Sequence, residues 1–145
     1  MYTIKDISEK FNLNISTIRY YDKEGLLKNI KRENGIRKFD DNDINTIFYI
    51  ECLKKSGMQL KEIKQFLDYA QEGDSTLKER LEMILSQKEK VKNKIIELEK
   101  VLNLLKYKTW YYTTAVSLNS EEKVKNISTD EMPEDIKKCY FKANQ

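Results

Sequence analysis

The 145 residues include no histidine and only two cysteines, Cys52 and Cys139. Acid–base catalysis near neutral pH most often employs histidine, and neither a glycine-rich phosphate loop nor a carboxylate pair set in a motif is present, so the chain does not read as an enzyme. Side chains able to do chemistry gather instead in 14–25, Asn-Ile-Ser-Thr-Ile-Arg-Tyr-Tyr-Asp-Lys-Glu-Gly. Asn14 suits a helix N-cap, and Gly25 suits the left-handed residue that closes a helix. Between them Ile18 and Tyr21 share one face, while Thr17, Arg19 and Tyr20 point elsewhere, so such a helix packs on one side and presents hydrogen-bonding groups on another. An exposed Arg-Tyr pair near a helix start suits contacts to phosphates and base edges of DNA.

The flanking elements must hold that helix. Thr3 can cap a first helix in which Ile4, Ile7 and Phe11 recur at helical spacing, and Asn12-Leu13-Asn14 then turns the chain into the second, a helix-turn-helix arrangement. Leu26 and Leu27 plug the small core. Ile30 to Phe39 reads as a hairpin with Asn34-Gly35 as its type I′ turn, since both residues tolerate positive φ. The hairpin carries Lys31, Arg32, Arg37 and Lys38, a short cationic element suited to gripping a phosphate backbone; its bland alternative is a solvated hairpin. Asp40 to Lys55 follows as a helix opened by three aspartates, with Ile44, Ile47 and Phe48 expected on its inner face. Ser56-Gly57 ends it, and Leu60 to Tyr69 forms another helix with Ile63, Phe66 and Leu67 inward. Lys54, Lys55 and Lys61 crowd this corner and provide a second set of cations for a backbone contact.

From Leu77 the spacing alternates by four and three through Leu81, Ile84, Lys88, Val91, Ile95, Leu98, Leu102, Leu105, Thr109 and Tyr112. That heptad seam, opened by Ser75 as cap, predicts a coiled-coil helix about 55 Å long at 1.5 Å per residue. Its seam needs a partner, for which a second copy is the simplest choice. Lys88 within the seam weakens packing locally while helping to fix register. Tyr107, Trp110, Tyr111 and Tyr112 cluster at the end of the coil, and Pro133 opens a last short helix with Ile136, Cys139 and Tyr140 on one side.

Composition agrees with a small reader joined to a long helix. Charged residues are 35%, and glycines number four against one proline, so long stretches can run as uninterrupted helix. A net charge of +3 says little by itself, but residues 1–39 hold nine Lys or Arg against five Asp or Glu. With no secretory signal and no long apolar run, the expected location is cytoplasmic, where a structural disulfide is not expected.

Three ordered motifs, Thr17-Ile-Arg-Tyr-Tyr21, Gly25-Leu-Leu27 and Asn34-Gly-Ile-Arg-Lys-Phe39, together resemble the N-terminal domain of the MerR family of transcription regulators. The resemblance covers residues 2 to about 112. The chain departs from the pattern at Lys28-Asn29, where a proline is common, and at Ile36, where an aromatic is usual. The implied fold class is mainly α: a winged helix-turn-helix DNA-binding domain with a small β-hairpin wing over 1–73, a coiled-coil dimerisation helix over 75–112, and a tail over 113–145 serving as an effector or docking segment. The resemblance further implies an antiparallel homodimer on double-stranded promoter DNA that bends and untwists the promoter for RNA polymerase. Thr17, Arg19 and Tyr20 are the expected contacts from the helix, Lys31, Arg37 and Lys38 from the wing, and Lys54 and Lys61 from the adjoining helices. Leu81, Ile84, Val91, Ile95, Leu98, Leu102 and Leu105 are the expected dimer seam.

The effector is less legible. Metal-sensing relatives carry cysteines near the start of the long helix and in a loop after it; here those places hold none, so no metal or cofactor is expected. Cys52, in Phe48-Tyr-Ile-Glu-Cys-Leu-Lys-Lys-Ser-Gly57, resembles the position of a single cysteine that reports aldehydes and other thiol-reactive electrophiles in one branch of the family. Positive charge of the kind Lys54 and Lys55 provide activates thiols as nucleophiles, but a lone cysteine is commonly core. The aromatic cluster of Tyr107, Trp110, Tyr111 and Tyr112 is the rival site, for a small organic or cationic ligand, with coil-end packing as its bland reading. A regulator without an effector, architectural or recruiting through its coil, is the alternative of another class.

Overall fold

A computed structural model describes all residues from Met1 to Gln145 and divides the chain into two compact units, Met1–Glu89 and Lys90–Gln145. The first unit begins with helix α1 (Ile4–Phe11) and helix α2 (Ile15–Lys23). Strands β1 (Lys31–Glu33) and β2 (Ile36–Lys38) follow as an antiparallel hairpin, then helices α3 (Asp41–Lys55) and α4 (Leu60–Glu72). Helix α5 (Leu77–Leu118), 42 residues long, starts in this unit and ends in the second. Helices α6 (Glu121–Lys125) and α7 (Glu134–Ala143) complete the chain. No helix is long and apolar enough to cross a membrane.

Local chemistry sets these boundaries. Thr3 and Asp6 form a reciprocal capping box at the start of α1, and Asp40 and Asp43 form another at α3, each satisfying two otherwise orphaned N–H groups. At the end of α2, Gly25 takes φ +79°, while its N–H and that of Leu26 donate to the carbonyls of Asp22 and Tyr21 at 3.1 and 2.9 Å. That is a Schellman closure, and it turns Leu26 and Leu27 into the core. Asn34 and Gly35 have φ of 52° and 78°, both positive as a type I′ turn requires.

One core holds the first unit: Ile7 from α1, Ile18 and Tyr21 from α2, Leu26, Leu27 and Phe39 around the hairpin, Ile47 and Ile50 from α3, Met58, and Ile63 from α4. Burying each of these large side chains stabilises the unit by about 1.5–3 kcal/mol relative to leaving it in water. The wing is pinned at its root, where Tyr2 and Phe39 exchange backbone hydrogen bonds of 2.7 and 2.9 Å. Gln87 is buried on α5 and donates to the Ser56 carbonyl at 2.6 Å, fastening the start of the long helix to the α3–α4 corner.

Several expectations are corrected. Phe48 does not face inward but is 55% exposed; Ile47 and Ile50 form the inner face, with Ile44 and Leu53 beside them. Apolar residues surround so much of α3 that spacing does not choose the rotation. Asn14 occupies the N-cap of α2 but makes no side-chain cap bond. Ser75 does not cap α5: Asp74–Thr76 form a 3₁₀ turn, and Thr76 is buried with its hydroxyl 2.5 Å from the Tyr69 carbonyl. Of the three α4 residues expected inside, only Ile63 is fully buried; Phe66 and Leu67 are half-buried, Leu67 packing against the core.

Candidate nucleic-acid interface

Helix α2 shows two chemical faces. Ile18 and Tyr21 are fully buried, whereas Arg19 is exposed and Tyr20 is 47% exposed. Thr17 is half-buried at the boundary between them. The buried face is tied to α3 by more than apolar contact. The Tyr21 hydroxyl donates to Glu51 Oε1 at 2.7 Å, and Lys54 Nζ donates to that hydroxyl at 3.0 Å while lying 5.6 Å from the ring centroid. Burial, reinforced by the Glu51 carboxylate, holds the phenol well above its ordinary range. Lys54, expected as a phosphate contact, is thus already bonded within the unit, although the residue is exposed.

The wing stands beside the end of α2. Arg37 Nε donates to Asp22 Oδ2 at 2.7 Å, and Arg32 Nη2 reaches the same oxygen at 3.3 Å. Arg37 is consequently half-buried, and so is Lys38, whereas Lys31 is exposed. Lys61 is exposed on α4. Lys28 and Lys64 both pair with Asp68, whose carboxyl they hold below its usual range. The sequence reading missed Asp22 and Asp68, because a lone aspartate among lysines looks like a solvated charge until its partners are placed.

Cys52 is exposed on α3, on the same side as the exposed Phe48 and Tyr49 rings, whose centroids lie 6.1 Å apart. Neither cysteine is bonded to the other, and no group of three or more Cys, Asp or Glu is placed to hold a metal ion.

Along α5 the expected seam residues Leu81, Ile84, Ile95, Leu98, Leu102 and Leu105 are exposed and Val91 is half-buried. Leu85, Ile96, Val101 and Leu104 are exposed as well, so the apolar surface is broader than a single heptad stripe.

In the second unit the four clustered aromatics separate into two roles. Tyr107 packs on Tyr140 of α7 at 5.0 Å and on Tyr111 at 6.2 Å. Tyr111 is buried, and its hydroxyl donates to Glu121 at 3.0 Å; burial and that carboxylate push the phenol up to about 12. Tyr112 is exposed against Tyr111. Only Trp110 of the four lines a cavity of about 500 Å³, with Lys106, Thr109 and Thr113 on α5 and Asp135, Ile136 and Cys139 on α7. Cys139, which carries no motif in the sequence, borders that cavity.

Residues 2–70 match the family described as MerR HTH family regulatory protein, and 47–106 match that described as MerR, DNA binding. An HTH-type transcriptional regulator of Haemophilus influenzae is 42% identical over 134 residues, spanning 92% of this chain and 97% of that protein. The regulator AdhR of Bacillus subtilis is 29% identical over 89 residues, 61% of this chain and 64% of its own. Among solved structures, HiNmlR, a MerR family regulator lacking the sensor domain and bound to promoter DNA, aligns with a TM-score of 0.76 and 41% identity over 91% of this chain and 98% of that one.

Proposed function

The chain belongs to the MerR family of helix-turn-helix transcription regulators, and from that membership we propose that it binds promoter DNA as a homodimer and switches transcription by distorting the duplex. The observation that carries this reading is the division of α2, whose Ile18 and Tyr21 are fully buried while Arg19 and Tyr20 face water beside a cationic hairpin. A helix held this way can enter the major groove with Thr17, Arg19 and Tyr20 toward the bases and phosphates. Lys31 and Lys38 grip the backbone from the wing, and Lys61 and Lys54 add contacts from the adjoining helices. The long apolar face of α5 supports pairing with a second copy, which sets two recognition helices on successive major grooves of a pseudo-palindromic site. HiNmlR, aligned over almost its whole length, was solved bound to promoter DNA, which supports the same kind of partner for this chain.

Switching requires a ligand that interacts differently with two states of the protein–DNA complex. Cys52 is our proposed sensor, because it is exposed on the helix that holds Tyr21 through its neighbour Glu51. Its thiolate adds to the carbonyl carbon of an aldehyde; the S–C bond forms, the C=O π bond opens, and the oxygen takes a proton from water. Added bulk on α3 then bears on the element that sets the angle of α2. A second reading is favoured by the cavity at Trp110, which has room for a small organic ligand between one ammonium and one carboxylate.

Run-off transcription from the DNA immediately upstream of the gene, with wild-type and Cys52→Ser protein before and after a small aldehyde, tests this proposal. The expected result is aldehyde-dependent activation by wild-type protein alone. Activation that survives Cys52→Ser removes the thiol switch. Binding without any effect on transcription indicates an architectural protein. A response of Trp110 fluorescence to cationic dyes, with transcription following it, supports the cavity.

A further inference from the structure

In the wing, register pairs Lys31 with Lys38, Arg32 with Arg37 and Glu33 with Ile36. Residues directly opposite in an antiparallel pair lie on one face, and successive residues alternate between faces. Arg32 and Arg37 therefore share the face toward α2, while Lys31 and Lys38 share the other.

The arginine face meets a single carboxylate. Asp22 Oδ2 accepts from Arg37 Nε at 2.7 Å and from Arg32 Nη2 at 3.3 Å. The side chains of Asp22 and Arg37 are only 20% and 23% exposed, so this pair is shielded more than an ordinary surface contact. Arg32 also donates from Nη1 to the Gly35 carbonyl at 3.5 Å, tying the turn to the same cluster. Asp22 stands in the last turn of α2, where a negative charge opposes the helix dipole. The helix gains nothing locally from a carboxylate there; the two arginines explain its position.

Resting on the reading of α2 and the wing as the DNA-facing elements, we infer that Asp22 is a positioning residue that docks the wing on the recognition helix. The two elements then approach DNA as one rigid surface of fixed angle. Arg32 and Arg37 are committed to that joint, and Lys31 and Lys38 are the wing residues that neutralise phosphates.

The salt dependence of binding separates these roles, since each neutralised phosphate contributes about 0.9 to the slope of log K against log salt on duplex DNA. With the upstream duplex as probe, Lys31→Gln is expected to lower that slope by about 1.8 per dimer, one phosphate from each protomer. Arg37→Gln should leave the slope unchanged while lowering the preference for the upstream duplex over sonicated bulk DNA by about tenfold or more, as a misplaced base contact would. Asp22→Asn should lose the same preference, and Asp22→Glu should recover part of it. Hydrogen exchange in the free protein supplies an arm independent of DNA: Asp22→Asn should speed exchange in 31–38 and leave α1 unaffected.

A slope that falls as far in Arg37→Gln as in Lys31→Gln overturns the inference, as does unchanged wing exchange in Asp22→Asn. Wild-type protein that prefers no DNA overturns the proposed function instead, and the exchange experiment still decides the role of Asp22.

Discussion

Replacing Tyr21 by phenylalanine removes one oxygen from the joint between α2 and α3. The ring is fully buried, and its hydroxyl lies between Glu51 at 2.7 Å and Lys54 at 3.0 Å. Hydrogen bonds to charged groups contribute about 1.5–3 kcal/mol each, but Glu51 and Lys54 are three apart on one helix and can turn toward water or toward each other. The expected loss is therefore about 2 kcal/mol, near one such bond rather than two. Its pH dependence is distinctive. The folded phenol titrates above its ordinary value of 10.0, chiefly through burial and then through Glu51. Above that pH the unfolded chain releases its proton while the folded chain retains it, so the unfolded state binds fewer protons and stability falls as pH rises. The advantage of wild-type protein over Tyr21→Phe should be complete below pH 10 and shrink beyond it. Urea unfolding followed by circular dichroism, at one protein concentration because dimerisation contributes, measures both quantities. Equal midpoints at pH 7, or a gap that stays constant to pH 11, would refute the reasoning.

Other consequences are simpler. Leu98→Lys places a charge in the proposed seam at a residue that is 68% exposed in the single chain. Losing about 2 kcal/mol of burial from each protomer should weaken dimerisation roughly a thousandfold, visible by sedimentation at micromolar concentration. Gly35→Ala meets nothing within 4 Å, so its cost is the positive φ of +78° alone, about 1 kcal/mol of stability in thermal unfolding with secondary structure retained. The Tyr111 phenol, held up to about 12, should titrate late beside that of Tyr21 in an ultraviolet titration, and Tyr111→Phe should remove one tyrosine's amplitude from that late step.

Much of this architecture is legible in the sequence wherever local chemistry decides it. Thr3, the aspartates opening α3, Gly25, and Asn34-Gly35 each satisfy a backbone requirement within a few residues, and the helices and hairpin fall where those residues put them. The failures occur where the outcome is tertiary. Phe48 follows the spacing of Ile44 and Ile47 but is outside, because Ile50 and Leu53 compete for the same core and win. Ser75 is a good cap by type, yet Thr76 is drawn inward to the carbonyls of Tyr69 and Gly73, which moves the helix start. At the candidate site, Arg19 and Tyr20 are exposed as their spacing predicts, since the buried face of α2 fixes the other one. Asp22 is invisible in the sequence because its partners lie ten and fifteen residues away on the wing. The cavity beside Trp110 needs α7, and pairing across the second unit is not encoded in any one helix's periodicity.

Helix α2 is proposed to read DNA through its exposed face. A mobility-shift titration of the duplex immediately upstream of the gene, with wild-type and Arg19→Ala protein of equal folded content and dimer fraction, tests it most directly. Wild-type protein should form a discrete complex that persists over bulk competitor DNA, and the Arg19→Ala complex should be weakened about tenfold or more, with the preference over competitor reduced. Equal affinity and equal preference in the two proteins would contradict it.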